Sequence, residues 1–594
     1  MTTAERPTKG GEFLIGETRA AEVFTPEDFS EEQRQLADTI EQFVAREVLP
    51  NAERIENHDF AVLASLLKRA GELGLIMIDV PEEYGGLELD KATSALVGEK
   101  TSAYGGFTCA FNANTGIGLL PLVYYGTEAQ KEKYLGRILT GDLITAYCLT
   151  EPDSGSDALG AKTSAVLSPD GREYVLNGTK QFITNGGIAG LYTVFAKVDR
   201  EHFTAFLVER SFPGVTAGPE EKKLGIRGSS TTQVVLEDAR VPVGNVLGEV
   251  GKGHKIAFNI LNMGRFKLGA CVTGTAKAAF AEGARYANAR RQFGVPIAAF
   301  GAIREKIADG VADIFCAESI VYRVAGLLDR RLASIERGAP DYYRAYQKGI
   351  EEYAVECAIA KVYGSEMYCR IADEALQIHG GYGYVQEYPV ERHYRDARIN
   401  PIWEGTNEIN RLLISGTLLK RAMKGEIDLM PGVMKAAETI QAGIPASPEG
   451  ADPFAAEHAL LANLKSVFLA VAGSAVRRHM EKIRDEQEIL LALADAAMEI
   501  FALESVVLRA GKAAAASGGS RAETMGAAVK VCAWRGAAAV RQAAARAAAY
   551  AEEGKRLTGL LERVERFCRY DPSGLLPARR ALAVRALEAE RYVV

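Results

Sequence analysis

The hydrophobic period of this chain changes twice along its length. Residues 29 to 140, and again 251 to 425, repeat apolar side chains at helical spacing, as at Ile256 and Ile260. Between 141 and 250 the period falls to two, and no helix-length pattern interrupts the strand-like runs. These three blocks predict a helical domain, a central antiparallel β domain and a helical bundle, which is an α+β multidomain fold.

The two ends of the chain lie outside these blocks. Residues 1 to 28 are rich in Gly, Thr and Glu and predict an extended, weakly structured arm. Residues 426 to 455 contain four prolines and three glycines and predict a linker. Residues 456 to 594 form long amphipathic runs, which predict an additional C-terminal domain of three or four packed helices. We expect its alanines between 510 and 550 to pack against the preceding bundle.

Residues 377 to 408 combine a glycine cluster with an isolated carboxylate. The sequence Gln-Ile-His-Gly-Gly-Tyr-Gly-Tyr ends a long helical pattern in glycines, which let a backbone approach a ligand closely. Farther on, Glu404 precedes Gly405 and Thr406, and Thr406 suits the N-cap of a helix over 407–424. The side chains expected on the inner face of that helix are Ile409, Leu412 and Leu413. A carboxylate at such a place serves as a general base or as a cap, and the local sequence leaves both open.

A second stretch, at 148 to 160, reads Cys-Leu-Thr-Glu-Pro-Asp-Ser-Gly-Ser-Asp-Ala-Leu-Gly, and Phe-Ile-Thr-Asn-Gly-Gly follows at 182 to 187. With residues 377 to 396, these segments resemble the two signature segments of the acyl-CoA dehydrogenase family, in the same order. The resemblance covers about residues 30 to 425. The additional C-terminal domain is most similar to that of the very-long-chain subgroup, so the resemblance implies the family's architecture with that extra helical domain.

The resemblance implies FAD-dependent α,β-dehydrogenation of a long-chain fatty acyl-CoA to trans-2-enoyl-CoA, a step of fatty acid β-oxidation. Glu404 matches the family's catalytic base. In some relatives the base lies at the position of Gly264, before Arg265, and a glycine cannot accept a proton, which leaves Glu404. The resemblance also implies that the Glu404 backbone N–H, together with a ribityl hydroxyl of the flavin, polarises the thioester carbonyl.

The remaining site residues are likewise carried over from the family. Those that match positions around the isoalloxazine ring are Tyr147, Leu149, Thr150, Phe182 and Thr184, with Phe182 where many relatives have a stacking Trp. Those that match adenine-nucleotide positions are Arg290, Gln292, Phe293, Thr406 and Glu408, with Gln377 and Gly381 reaching the pyrophosphate from the neighbouring subunit. Those that match substrate-contacting positions are Ser156, Asn262, Arg265 and Gly405.

The same resemblance implies an electron-transferring flavoprotein as electron acceptor and a homodimer with FAD near the subunit boundary. Because the extra domain would cover the face that other members use to form tetramers, we expect assembly to stop at the dimer. Two alternatives remain at this stage. One is an acyl-CoA oxidase that passes electrons to oxygen, and the other is a flavoprotein kept as an assembly or scaffold factor.

Composition limits the partners, the metal sites and the cell compartment that we expect for this chain. The net charge of −7 argues against nucleic acid as a partner. The eight cysteines are scattered without a CxxC pair, which suits free thiols in a reducing compartment and predicts no metal site. The N-terminus has no signal-peptide h-region, and the run Ser466 to Val476 is too short to span a bilayer. We therefore expect a cytoplasmic protein, and the sequence leaves open a peripheral contact between the C-terminal domain and a membrane.

Overall fold

The computed structural model describes residues 8–339, 341–444, 452–516 and 519–594. Its first part is helical, as predicted, and opens where Ser30 caps the first helix by accepting a hydrogen bond from the Gln33 N–H. The helices are α1 (Glu31–Phe43), α2 (Ala52–Glu56), α3 (Phe60–Glu72), α4 (Lys91–Lys100), α5 (Gly105–Ala113), α6 (Leu120–Tyr125) and α7 (Glu128–Leu139). A π-helical turn, Asn114–Gly118, separates α5 from α6.

The central domain is one eight-stranded sheet. Its strands are β1 (Thr145–Cys148), β2 (Ser164–Leu167), β3 (Glu173–Thr184), β4 (Leu191–Val198), β5 (His202–Glu209), β6 (Val215–Glu220), β7 (Thr231–Pro242) and β8 (Val246–Leu247). The order is β6-β7-β3-β2-β4-β5-β8, with β1 also paired to β4. The prediction of a purely antiparallel sheet was wrong, because β4 pairs in parallel with both β1 and β2. After the β2–β3 hairpin the chain crosses β2 and adds β4 to its other edge, which makes β4 parallel to β2.

A helical bundle follows the sheet. Its helices are α8 (Gly253–Ala289), α9 (Gly301–Ala333), α10 (Tyr342–Glu352), α11 (Ala354–His379), α12 (Pro389–Ala397) and α13 (Asn407–Met423), with a small hairpin of β9 (Arg291–Gln292) and β10 (Val295–Pro296) after α8. α8 and α11 lie parallel at short distance: a Cβ at Gly269 would lie 3.1 Å from Ala360, and one at Gly283 would lie 3.4 Å from Ala375. The C-terminal ends of these two helices therefore lie side by side.

The C-terminal domain contains more helices than expected. They are α14 (Leu429–Ala442), α15 (Ala455–His479), α16 (Gln487–Ala516), α17 (Ser520–Ala551), α18 (Gly554–Phe567) and α19 (Leu575–Ala589). The first of them, α14, lies within the predicted linker. The Ala-rich α17 does reach the bundle, where Cys532 contacts Cys316 of α9 at 3.4 Å between the sulfur atoms. It also packs on α16, with Gly536 against Leu503.

The N-terminal arm is packed onto the helical bundle, where the Tyr353 hydroxyl donates to the Thr8 carbonyl oxygen at 2.8 Å, and farther on onto the C-terminal domain. Three short 3₁₀ turns shape it: Glu12–Leu14, Ala20–Glu22 and Pro26–Asp28. Phe13 packs edge-on against Phe501 of α16 with ring centroids 4.8 Å apart, and Arg509 pairs with Glu27 at 2.8 Å. Over residues 8–28 the prediction of a weakly structured arm was wrong, because a few buried side chains hold this segment without any repeating pattern, and residues 1–7 lie outside the described part of the chain.

One apolar stretch of the C-terminal domain is long enough to cross a membrane by length and composition alone. It comprises Ala455–Arg484, and its most apolar window has a mean hydropathy of 1.7. Half of that window is buried inside the protein.

Candidate active site

Glu404 lies in the loop between α12 and α13 and projects into a pocket between α5 and α8. Its Oε2 atom is shut off from solvent and has no hydrogen-bond partner in the described part of the chain. Gly264 of α8 faces this carboxylate, and a Cβ at that position would lie 2.6 Å from Oε2. Gly264 therefore leaves room for the Glu404 side chain. The pocket holds about 100 Å³ of free volume and is also lined by Thr184 at the end of β3.

The backbone of this loop has an unusual conformation. Glu404 has φ +56° and Gly405 has φ +81°, so two consecutive residues are left-handed. For a glutamate this costs on the order of 1–3 kcal/mol and persists only where the surroundings impose it. Asn410 of α13 supplies part of that support, because its Nδ2 atom donates to the carbonyl oxygens of Gly405 at 2.8 Å and of Thr406 at 3.1 Å.

Arg265 supports the same loop from α8. Its Nε donates to the Glu404 carbonyl oxygen at 3.2 Å, and its Nη1 donates to Asn262 Oδ1 at 3.0 Å. Both side chains are buried. Of the four residues predicted to contact substrate, Arg265 and Gly405 thus lie directly at Glu404, and Asn262 lies beside Arg265. Ser156 is exposed on the loop after β1.

Lys361 of α11 is a site residue that the sequence analysis missed. Its ammonium is buried and donates to the Gly405 carbonyl oxygen at 2.8 Å and to Asn407 Oδ1 at 2.7 Å. The signal was present in the sequence as a lysine inside the apolar run Ile-Ala-Lys-Val at 359 to 362. A lysine is rarely fully buried without a partner, so a lysine within an apolar run indicates a buried polar contact.

Burial shifts the pKa of both Glu404 and Lys361 towards neutrality. Loss of solvation raises the pKa of Glu404 to about 7, although Arg265 and Lys361 partly oppose this rise. Loss of solvation likewise lowers the pKa of Lys361 to about 7, although the Glu404 carboxylate partly opposes this fall. A carboxylate with a pKa near neutrality is well matched to taking up a proton at physiological pH.

We expect Lys361→Met to shift the pH profile of substrate-driven flavin reduction. Glu404 must be deprotonated to accept a proton, so the rate rises as the pH passes through its pKa. Without the cation that pKa rises further, and the midpoint should move up by roughly one unit, the lower end for a nearby charge. Stopped-flow measurements across pH give the midpoint. Lys361→Arg is the matched control that keeps the charge, and a lower rate with an unmoved midpoint in Lys361→Met would limit the lysine to a structural role.

The residues predicted to surround the flavin ring lie along β1, β3 and the loop after β1. Tyr147 and Leu149 are buried, and the Tyr147 hydroxyl donates to the Ala257 carbonyl oxygen at 3.4 Å. The Thr150 carbonyl oxygen accepts a hydrogen bond from the Gln181 N–H at 2.9 Å, which joins this loop to β3. Phe182 is 62% exposed, so its ring is free to contact a ligand.

The residues predicted to bind the nucleotide form a separate patch. Arg290 at the end of α8 lies over the Tyr382 ring, 5.4 Å from its centroid, and Phe293 is 93% exposed. A Cβ at Gly381 would meet nothing within 4 Å. Gln292 and Gln377 are exposed at the same end of the bundle. Gln377 was expected to reach the FAD site from a different chain than Arg290. The parallel arrangement of α8 and α11 instead brings both residues to one patch of one chain.

Thr406 caps α13, as predicted, with its hydroxyl accepting from the Ile409 N–H at 3.3 Å. Glu408 is exposed on the first turn of that helix. The expected inner face was wrong at Ile409, which is exposed, whereas Leu412 and Leu413 are half-buried against the core and Ile414 and Leu418 are buried. Asn410 occupies the inner face near the start because it is needed to hold the Glu404 loop.

Family models account for most of the chain in four consecutive segments. The acyl-CoA dehydrogenase N-terminal domain matches residues 30–142, the middle domain 146–239, and two C-terminal domain models match 251–419 and 463–566. The chain belongs to the acyl-CoA dehydrogenase family. It is therefore an oxidoreductase of a family that depends on FAD.

Individual family members cover between 74% and 99% of the chain. A Bacillus subtilis protein named "Probable acyl-CoA dehydrogenase" is 46% identical over 586 residues, which is 99% of this chain and 98% of its own. The mitochondrial very long-chain specific acyl-CoA dehydrogenase of Rattus norvegicus is 38% identical over 469 residues, 74% of this chain and 69% of its own. The crystal structure of an acyl-CoA dehydrogenase complexed with FAD from Bacillus anthracis has a TM-score of 0.97 and 47% identity, covering 99% of this chain and 100% of that one.

The nucleotide patch of this acyl-CoA dehydrogenase has the chemistry that FAD requires. Among the described residues no carboxylate pairs with Arg290, so its guanidinium is available to a phosphate. The open space around Gly380 and Gly381 admits a close approach of the backbone. Exposed aromatic rings at Phe293 and Tyr384 flank these groups and offer stacking faces.

Proposed function

We propose that this enzyme removes the α-proton and the β-hydride of a long-chain fatty acyl-CoA to give the trans-2-enoyl-CoA, and that Glu404 is the base. The observation that carries the proposal is the buried, unpartnered Oε2 atom of Glu404 in the pocket that Thr184 also lines. Bound FAD supplies the acceptor for the hydride. The proton is held at the Glu404 carboxylate after transfer.

The chain's own residues also provide for the thioester. The Glu404 backbone N–H has no acceptor among the described residues and is free to donate to the thioester carbonyl oxygen. Arg265, Asn410 and Lys361 help to fix the position of that N–H by holding the Glu404 and Gly405 carbonyl groups that follow it. Such a fixed donor stabilises the negative charge that develops on the carbonyl oxygen as the α-proton leaves.

The long-chain preference is supported by the 38% identity to the very long-chain specific rat enzyme. Gly116 lines the pocket, in keeping with a deep tunnel. Gly118 has a different role, since a Cβ there would lie 2.3 Å from Thr145 Oγ1, so it allows close packing on β1. The free volume of about 100 Å³ means that pocket walls must move to admit a long chain. A kcat/KM series from short to very long acyl-CoAs tests the preference, and a maximum at short chains would overturn it.

We propose an electron-transferring flavoprotein as the electron acceptor. With a saturated acyl-CoA as substrate, flavin bleaching and peroxide yield distinguish a dehydrogenase from an oxidase and from a scaffold factor. A dehydrogenase bleaches its flavin anaerobically, yields little peroxide in air, and turns over when an electron-transferring flavoprotein is supplied. An oxidase produces peroxide in proportion to substrate, and a scaffold factor without activity does not bleach at all. The presence of Glu404 in a complete pocket supports the first outcome.

We further propose that the functional unit is a homodimer. Gly264, at the catalytic pocket, and Arg290, at the nucleotide patch, are 26 residues apart on the line of α8, which is about 39 Å at 1.5 Å per residue. One FAD molecule cannot bridge that distance within a chain. A second copy that presents its nucleotide patch to the first copy's flavin-ring residues would complete the site.

The predicted domain boundaries, after residues 28, 140, 250, 425 and 455, are retained as proposals. We also propose a cytoplasmic location, with a membrane surface as a further contact for the C-terminal domain. Cell fractionation with and without salt washing tests the location, and recovery of the enzyme only in detergent extracts would contradict it.

Cofactor retention tests the nucleotide patch. We expect Arg290→Ala to yield largely FAD-free protein, because the phosphate loses its charged partner, and Gly381→Val to do so by filling the space beside the backbone. Flavin-to-protein ratios from absorbance after gel filtration give the result. Arg285→Ala is the matched control, since Arg285 is one turn earlier on α8 and pairs with Glu282. Full flavin content in both test variants would remove these residues from the FAD site.

A further inference from the structure

A second cavity, far larger than the catalytic pocket, lies in the C-terminal part of the molecule. Helices α13, α14, α15 and α16 enclose it, and it holds about 600 Å³ of free volume. This lies within the range of roughly 300–1,000 Å³ that small-molecule sites occupy. None of the residues assigned above to catalysis or to FAD lines it.

The walls of this cavity are apolar and adaptable. Leu418, Phe468 and Leu469 form buried parts of the wall. Met423, Met430 and Met480 also line it and are 60%, 55% and 68% exposed. Flexible thioether side chains fit irregular apolar ligands. Three of them exposed at one opening indicate an apolar binding site.

The opening carries unpaired positive charge. Arg477 and Arg484 line the cavity, and neither has a carboxylate partner in the part of the chain that the structure describes. Arg477 Nη2 is 3.4 Å from Ser474 Oγ, and Arg484 Nη2 is 3.5 Å from Met423 Sδ. Glu481 is the one carboxylate among the lining residues. Over residues 477 to 484 there are four cationic side chains against that single carboxylate, in a chain whose net charge is −7.

We propose that this cavity binds the anion of a free long-chain fatty acid, with the hydrocarbon chain between the helices and the carboxylate at Arg477 and Arg484. A guanidinium binds a carboxylate through two parallel hydrogen bonds, and the apolar walls match an unbranched chain. The site is concave and enclosed by four helices, a shape that takes up one chain, whereas a bilayer contacts a protruding apolar face. The inference is independent of the proposed acyl-CoA activity.

The test uses the FAD-loaded enzyme and hexadecanoate below its micellar concentration, followed by isothermal titration calorimetry. We expect one site per chain, and at least a tenfold weaker affinity in the double variant Arg477→Glu/Arg484→Glu. The matched control is Arg478→Glu, which changes an exposed neighbour that does not line the cavity and should keep affinity within twofold. Ala472→Phe, which fills the cavity from α15, should also weaken binding. All variants should keep the wild-type rate of acyl-CoA oxidation.

Several results would overturn the proposal. Unchanged affinity in the double variant would place the fatty acid elsewhere. Displacement of hexadecanoate by enoyl-CoA, or a perturbed flavin absorption spectrum on binding, would place it in the catalytic pocket. Binding to anionic phospholipid vesicles but not to the free acid would make this region a membrane contact. A change of oligomeric state in the double variant would make it a subunit interface.

Discussion

Glu404→Gln should lower the rate of anaerobic flavin reduction by a saturated acyl-CoA roughly 10²- to 10⁴-fold, the usual contribution of a positioned general base. The amide keeps the shape of the side chain but cannot accept the α-proton. FAD content and substrate affinity should stay near wild type, because Arg265, Asn410 and Lys361 hold the loop through its backbone carbonyl groups. Stopped-flow absorbance measures the rate, and near-native reduction would show that the base lies elsewhere.

A carboxylate at position 264 should restore part of the activity that the Glu404→Gly variant loses. In Glu404→Gly the carboxylate that faces Gly264 is gone, and the clash of 2.6 Å between a Cβ at Gly264 and Oε2 disappears with it. Adding Gly264→Glu to that background should place a carboxylate in the same pocket from α8 and restore part of the rate. Gly264→Gln in the same background is the matched control, and equal recovery in both would mean that the carboxylate is not the active group.

Mixed dimers should recover activity that neither parent has. One parent carries Arg290→Ala and Gly381→Val, and the other carries Glu404→Gln. If each site combines the flavin-ring residues and Glu404 of one chain with the nucleotide patch of its partner, one of the two sites in the mixed dimer is intact. Co-expression with two affinity tags isolates this species, and we expect about half of the wild-type activity per dimer against almost none in either parent dimer.

An inactive mixed dimer would mean that each chain builds its whole FAD site alone. Light scattering provides the companion measurement, because the proposal requires a particle of two 64.0 kDa chains. A monomer, or a tetramer of four chains, would contradict the expectation that the C-terminal helical domain limits assembly to a dimer.

Long regular patterns made most of the fold predictable. The helical period over 29–140 and 251–425 predicted the two helical domains, and the shorter period over 141–250 predicted the strands between them. The cap at Thr406 was predictable because a hydroxyl side chain directly before a helix suits an N-cap. In each case the information is local, so no knowledge of distant contacts was needed.

The failures depend on contacts between distant parts of the chain. The N-terminal arm is ordered by single side chains, such as Phe13 against Phe501. A periodic sequence pattern does not predict contacts of this kind. The parallel pairing of β4 follows from a crossover, which the strand patterns do not encode. Lys361 was missed because its role lies in a contact with Gly405, 44 residues away in sequence. Motif matching proposed which residues serve the site, while the contacts that hold those residues in place became visible only in three dimensions.

The unbroken length of α8 has a mechanical consequence in such a dimer. The first half of this helix forms a wall of its own chain's catalytic pocket at Gly264, and in the proposed dimer its end would carry Arg290 to the partner's cofactor. A rigid rod transmits a displacement along its axis without loss. In the proposed dimer, we therefore expect a displacement of α8 by substrate in one pocket to reach the cofactor contact of the other.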